Sequence, residues 1–350
     1  MPWSLECSSC GKTRAAGGLA GVCECGQPYL VRYAAAPPPD ARSLLATRGW
    51  TMWRYREWLP LADGEQPVTL GEGGTPLLST PRLAAKHGFS QFWVKDESTN
   101  PTGSFKARGL AAAITRAVRA GAKSFVVPTA GNAGVALAAY AARAGVPGRV
   151  YAPAGTPATI LSQITVDVST LREPYRIEGK KTLGLELAEQ LRWTLPDAIV
   201  YPTGGGTGLI GMWKAFGELA RAGWFTRTPP RMYSVQAAGC APVVRAFEAG
   251  ADACVEWPDP STIAAGLRVP RPLGGRLILR ALRESGGAAV AVTDAQLAGA
   301  ARELQSEGID ACPEGGAALA GALELKARGL IQGGERVVVF NTGAGWLYRA

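Results

Sequence analysis

Apolar residues along this chain fall into short unbroken runs separated by longer, mixed stretches. Phe92-Trp93-Val94-Lys95, Val126-Val127-Pro128, Ile199-Val200-Tyr201-Pro202 and Val337-Val338-Val339-Phe340 read as strands, the last as a parallel strand covered on both faces. The first three are each followed by a turn of small and polar residues. Helical stretches then begin near Ser104, Asn132 and Leu209, and Leu83 to Phe89 reads as a short helix ending at His87. Strands and helices alternate without an internal repeat, which predicts an α/β chain built on a parallel sheet.

The turns carry the chemistry. Asn100-Pro101 and Thr102-Gly103 are turn pairs, and the helix after them is expected to open with a cap at Ser104, so that Lys106 lies in its first turn. A helix N-terminus favours the neutral amine over the ammonium, and a neutral amine is what attacks an aldehyde. A solvated surface lysine is the alternative. Gly204-Gly205-Gly206-Thr207-Gly208, between a strand and a helix, can turn successive backbone N–H groups onto one phosphate. No Gly-Lys-Ser/Thr follows it, and its glycine spacing departs from Gly-x-Gly-x-x-Gly, which argues against a nucleotide loop and a nicotinamide cofactor.

The Lys106 turn, Thr129-Ala130-Gly131-Asn132-Ala133 at a helix start and the glycine loop, in this order and with Cys312-Pro313-Glu314-Gly315-Gly316 and Phe340-Asn341-Thr342-Gly343-Ala344-Gly345, resemble pyridoxal-phosphate enzymes of fold type II, within them the threonine-synthase-like enzymes. The resemblance runs from about residue 40 to the C-terminus. It implies two three-layer α/β/α domains with a cleft between them and Lys106 as the amine that bonds the cofactor and then moves protons. Asn132 would meet the phenolic oxygen of pyridoxal phosphate, Gly204, Gly205, Gly206, Thr207 and Gly208 its phosphate, and Thr342 its pyridine nitrogen. Thr129, Ala130 and Gly131 would take the substrate carboxylate. As bland alternatives, Asn132 is a helix cap, Thr342 a strand-end hydroxyl and the glycines a plain turn. A hydroxyl at the ring nitrogen suits loss or replacement of a side-chain group better than transamination.

Within the resemblance the reaction is open. O-Phosphohomoserine plus water to threonine plus phosphate comes first, ahead of a threonine or serine ammonia-lyase and a β-replacement enzyme. A non-catalytic zinc-ribbon binding protein is the reading from another class. The glycine loop is closer to the dehydratase style than to Gly-Asn-x-Gly-Asn, Ala344 stands where histidine is common, and residues 158–182 depart from the usual segment that supplies donors to a substrate phosphate. Arg108, Lys180, Lys181 and Arg268 are candidates for an anion, but are expected to be solvated surface charges, with Arg108 pointing away from Lys106. Glu314 is expected near the pyridine end.

Composition adds bounds. The 350 residues, 47% hydrophobic, are enough for about two domains with cores of their own. The net charge of +9 comes from scattered arginines rather than a basic run with interleaved aromatics, which speaks for small anionic ligands and against nucleic acid. No run is long and apolar enough to span a membrane and the start lacks a leader pattern, so a cytoplasmic enzyme is expected, by resemblance a homodimer. The sole histidine, His87, leaves little room for a Ser-His-Asp triad. Cys7, Cys10, Cys23 and Cys25, with Gly11 and Gly26 after the pairs, read as a zinc-ribbon-like segment suited to a structural zinc, with disordered or metal-free thiols as the alternative, since the second pair is one residue short of Cys-x-x-Cys. The expected units are 1–33 for this segment, 34–106 with 196–350 for a larger cofactor domain, and 107–195 for a smaller mobile domain.

Overall fold

Three sheets organise the chain. The computed structural model describes residues 2–38, 40–129, 131–151, 166–225 and 228–349. A small antiparallel sheet comes first, of β1 (Trp3–Cys7), β2 (Thr13–Ala15) and β3 (Tyr29–Tyr33), in the order β2-β1-β3, and α1 (Ala41–Leu44) follows. The body begins with β4 (Leu77–Ser79), α2 (Pro81–His87), β5 (Gln91–Asp96) and α3 (Lys106–Arg119). Next come β6 (Phe125–Pro128), α4 (Asn132–Ala144), β7 (Gly148–Tyr151), β8 (Val166–Asp167) and α5 (Tyr175–Gln190). β9 (Ala198–Pro202), α6 (Thr207–Arg221), β10 (Arg231–Ala237), α7 (Pro242–Glu248), α8 (Gly275–Glu284) and β11 (Ala289–Val292) continue it. It ends with α9 (Asp294–Ser306), α10 (Pro313–Ala327) and β12 (Arg336–Asn341).

The large sheet runs β11-β10-β9-β12-β5-β4, parallel except for the edge strand β4, and β7-β6-β8 form a second parallel sheet. Alternation along the central strands divides the apolar residues between two cores. Ile199, Tyr201, Val338 and Phe340 pack with residues of α5, α6 and α8, whereas Ala198, Val200, Val337 and Val339 pack with residues of α2, α9 and α10. A strand buried on both faces must be apolar throughout, and Val337 to Phe340, paired to β5 on one side and β9 on the other, meets that demand. A third core gathers α3, α4 and the smaller sheet around Leu110, Phe125, Leu137 and Tyr140.

Two sequence expectations change. The helix expected from Ser104 starts at Lys106, with Phe105 as its N-cap and no side-chain cap, because Ser104 is bridged to Gly343 beyond β12. Arg108, Lys180 and Lys181, expected on the surface, are fully buried. Arg108 and Lys181 are sheltered by carboxylates, and Lys180 by the Phe105 carbonyl and ring. Arg108 meets Glu97 through Nε and Nη2 at 2.7 and 2.8 Å and Glu186 through Nη1 at 3.0 Å, while Lys95 reaches Glu186 at 2.5 Å. Burial alone would raise the Glu186 carboxyl, but Arg108 and Lys95 outweigh it and hold the group ionised. Glu186 also accepts the N–H groups of Gly74 and Thr75 at 2.9 and 2.8 Å.

Removing one partner of such a buried set strands the others without water. Glu186→Ala should therefore cost about 3–5 kcal/mol of stability in urea unfolding. A loss under about 1 kcal/mol would mean that the network contributes no more than an exposed pair.

Candidate active site

Between the large sheet and the smaller one lies a cleft of about 540 Å³, lined by Lys106, Asn132, the Gly204–Gly208 loop, Arg176, Glu314 and Thr342 among others. Parallel strands deliver these residues at their C-terminal ends, where the following helices begin. Lys106 opens α3, Asn132 opens α4 and Thr207 opens α6, so three helix N-termini converge there.

The turn before Lys106 is held by the far end of the chain. Phe105 N–H donates to the Thr342 carbonyl at 3.0 Å and Ala344 N–H to the Gly103 carbonyl at 2.8 Å. Lys106 Nζ lies 4.5 Å from the centre of the Phe105 ring. Burial, then the nearby Arg176 guanidinium, lower its pKa from the ordinary 10.5 to about 8, with Glu314 opposing.

Gly206 heads α6 in the left-handed region, φ +76°, where a side chain is strained and a Cβ would also collide with Ile278. At Gly205 a Cβ would sit 2.6 Å from Thr170 Cγ2. The loop thus presents bare backbone to the cleft, a cradle suited to phosphate. Thr342 is buried, its hydroxyl 3.9 Å from Cys312 Sγ. Asn132 follows the N-cap Gly131 and donates through Nδ2 to the Tyr348 hydroxyl at 3.2 Å, and Thr129 Oγ1 accepts from Gly131 N–H at 3.1 Å. Ala130 lies outside the described residues, as do residues 158–165. Arg108 points away from the cleft into its ion network, as expected, and Arg268 is exposed at the cleft wall. Glu314 lines the cleft, accepting Gly266 N–H through Oε1 at 2.7 Å and leaving Oε2 buried without a partner among the described residues.

Sequence reasoning missed Arg176. This side chain, 1% exposed, donates through Nη1 to the Val168 carbonyl at 2.8 Å. Its Nε and Nη2 are buried with no hydrogen-bond partner among the described residues. An unsatisfied buried guanidinium facing a cleft is a site for an anion. The signal was the density of charge in Arg176-Ile177-Glu178-Gly179-Lys180-Lys181, too polar on every side for an ordinary surface helix.

The cysteines of the small sheet also converge. Cys7 and Cys25 Sγ are 3.4 Å apart, Cys10 lies 3.7 Å from Cys23 and from Cys25, and all four sulfurs fall within 4.8 Å of one another. A tetrahedral site with metal–sulfur bonds of about 2.3 Å has edges of roughly 3.8 Å, which these sulfurs fit.

The model of the family "Pyridoxal-phosphate dependent enzyme" matches residues 68–166 and 162–343. The chain belongs to this family. It is 34% identical to a threonine synthase of Methanosarcina acetivorans, over 97% of this chain and 91% of that protein. With a threonine synthase of Methanocaldococcus jannaschii it shares 33% identity over 97% of this chain and 92% of the other. Among solved structures, a threonine deaminase from T.th. superposes with a TM-score of 0.63 at 27% identity, covering 77% of this chain and 91% of that one. Maize serine racemase, with a TM-score of 0.65 at 22% identity over 77% of this chain and 88% of its own, shares the fold. The family thus has the mixed α/β architecture of fold type II, and no helix of the described residues is long and apolar enough to cross a membrane.

With a pKa of about 8 the Lys106 amine turns neutral as pH rises through that value, well below an ordinary lysine. Capture of pyridoxal phosphate by the cofactor-free protein, trapped with borohydride, should rise with a midpoint at about pH 8 and vanish in Lys106→Ala. A midpoint near pH 10 would show that the cleft does not tune this amine.

Proposed function

We propose that this enzyme is a threonine synthase, a lyase that converts O-phosphohomoserine and water to threonine and inorganic phosphate. The observation that carries this reading is Arg176. Two of its donors are buried at the cleft wall without a hydrogen-bond partner among the described residues, and a substrate phosphate is an anion that fits them. Identity to threonine synthases over nearly the full chain supports the same choice.

The residues present fit pyridoxal phosphate. Lys106 would bond it, Asn132 would face its phenolic oxygen, Thr342 its ring nitrogen, and Gly204, Gly205, Gly206, Thr207 and Gly208 its phosphate. When bound, the cofactor supplies an electron-withdrawing ring that acidifies the α-carbon of an amino acid. Lys106 Nζ then takes the α-proton, its lowered pKa leaving the amine free to accept it at working pH. The Thr129 to Gly131 turn, at the start of α4, holds the substrate carboxylate, and Arg176 holds the phosphate that departs. Residues 107–195 close over 34–106 and 196–350 to keep water from reacting early, in a homodimer working in the cytoplasm; the position of the smaller sheet across the cleft supports the closure.

A structural zinc ion at Cys7, Cys10, Cys23 and Cys25 belongs to the same reading, supported by the sulfur spacing. Metal analysis of the purified protein should find about one zinc per chain, and Cys7→Ser should lose it; a metal-free protein with four free thiols would rule zinc out.

The reaction itself is tested by incubating the holoenzyme separately with O-phosphohomoserine, threonine and serine. Phosphate and threonine should form from the first alone. A 2-oxo acid from threonine or serine would make the enzyme an ammonia-lyase instead. Arg176→Met should lower kcat/KM for O-phosphohomoserine about a hundredfold, chiefly through KM, and an unchanged KM would deny Arg176 the phosphate.

A further inference from the structure

Arg176 is the second residue of α5, and the residue before it faces the other way. Tyr175 is buried in the core of the small antiparallel sheet, against Trp3, Leu5, Cys7, Cys23 and Val31, with its hydroxyl donating to the Ala16 carbonyl at 3.3 Å. Two members of that core, Cys7 and Cys23, belong to the sulfur cluster. The first turn of α5 is therefore gripped on one side by the cysteine unit while it offers a guanidinium to the cleft on the other.

A second fastening lies on the same helix. Tyr33, the last residue of β3, donates to Glu178 Oε2 at 2.7 Å. Glu178 also pairs with Lys181 at 2.7 Å and Lys214 at 2.9 Å, and both ammonium groups lie over the Tyr33 ring, at 4.4 and 5.1 Å from its centre. Glu173 completes the turn by accepting the N–H groups of Tyr175 and Arg176, each at 2.8 Å. A helix end frays unless tertiary contacts hold it, and a binding group on a fraying turn loses the preorganisation on which affinity depends.

We propose that the four-cysteine unit positions the substrate anion site: through Tyr175 it fixes Arg176 in the cleft, so that metal at the cysteines sets affinity for the phosphorylated end of the substrate. This rests on Arg176 as the phosphate ligand. Tyr175 is a positioning residue and touches no reacting atom.

Inorganic phosphate is the direct probe, titrated calorimetrically into holoenzyme whose cofactor site is filled. Affinity should fall about tenfold in Tyr175→Ala and in wild-type protein stripped of metal by a chelator, while cofactor absorbance is kept. In the same samples KM for O-phosphohomoserine should rise about tenfold with kcat within about twofold, and Tyr175→Phe should behave as wild type. Wild-type phosphate affinity in both the metal-free protein and Tyr175→Ala overturns the proposal, as does a fall in kcat at constant KM. If Tyr175→Ala does not fold, the metal-stripped wild type decides the matter alone. Unchanged phosphate affinity in Arg176→Met strikes instead at the phosphate role of Arg176, and removes the proposal with it.

Discussion

The placement of Lys106 depends on a set of charges that never meets water. Arg108, two residues further along α3, is joined to Glu97 beyond β5 and to Glu186 on α5, with Lys95 sharing Glu186. Two cations and two carboxylates balance, and all four are at most 1% exposed. Buried ions tolerate little displacement, because lost pairing is not replaced by hydration. α3 is consequently fixed in rotation and depth against β5 and α5, which aims its first residue at the cleft. Hydrogen bonds from Phe105 and Ala344 tie the same turn to the end of β12, so the lysine is held from two directions.

α5 is the beam common to the other parts of the molecule. It gives Tyr175 to the cysteine unit, Arg176 to the cleft, Lys180 to the Phe105 carbonyl, Glu178 and Lys181 to the α6 side, and Glu186 to the network under Lys106. No face is left for solvent over most of its length, which is why polar residues appear all around it. Each finds a partner in a different direction. Gly179 passes close beside the Arg108 and Gly109 backbone, a crossing that any side chain would block.

That arrangement decides what could be read from sequence. The strands β5, β6, β9 and β12 were legible because burial on both faces forces continuous apolar runs, and the Lys106 turn and glycine loop were legible because their chemistry is local. α5 was not, since a charged residue in sequence implies water unless its partner is known, and the partners Arg108 and Glu218 lie on other elements. The missing cap at Ser104 has a similar origin, its backbone being taken by Gly343, far along the chain. For the cysteines, spacing alone was ambiguous. Antiparallel pairing of Cys7 with Tyr29 brings the turn after β1 beside the turn before β3, and this register, rather than a full Cys-x-x-Cys, gathers the sulfurs.

Arg176 and Lys106 line one cleft, and the charge of the first is felt at the second. After burial itself, the guanidinium lowers the pKa of the lysine amine and so favours the neutral form that bonds an aldehyde. Both groups owe their place to a helix start, Arg176 to α5 and Lys106 to α3, and each start is held by partners far along the chain.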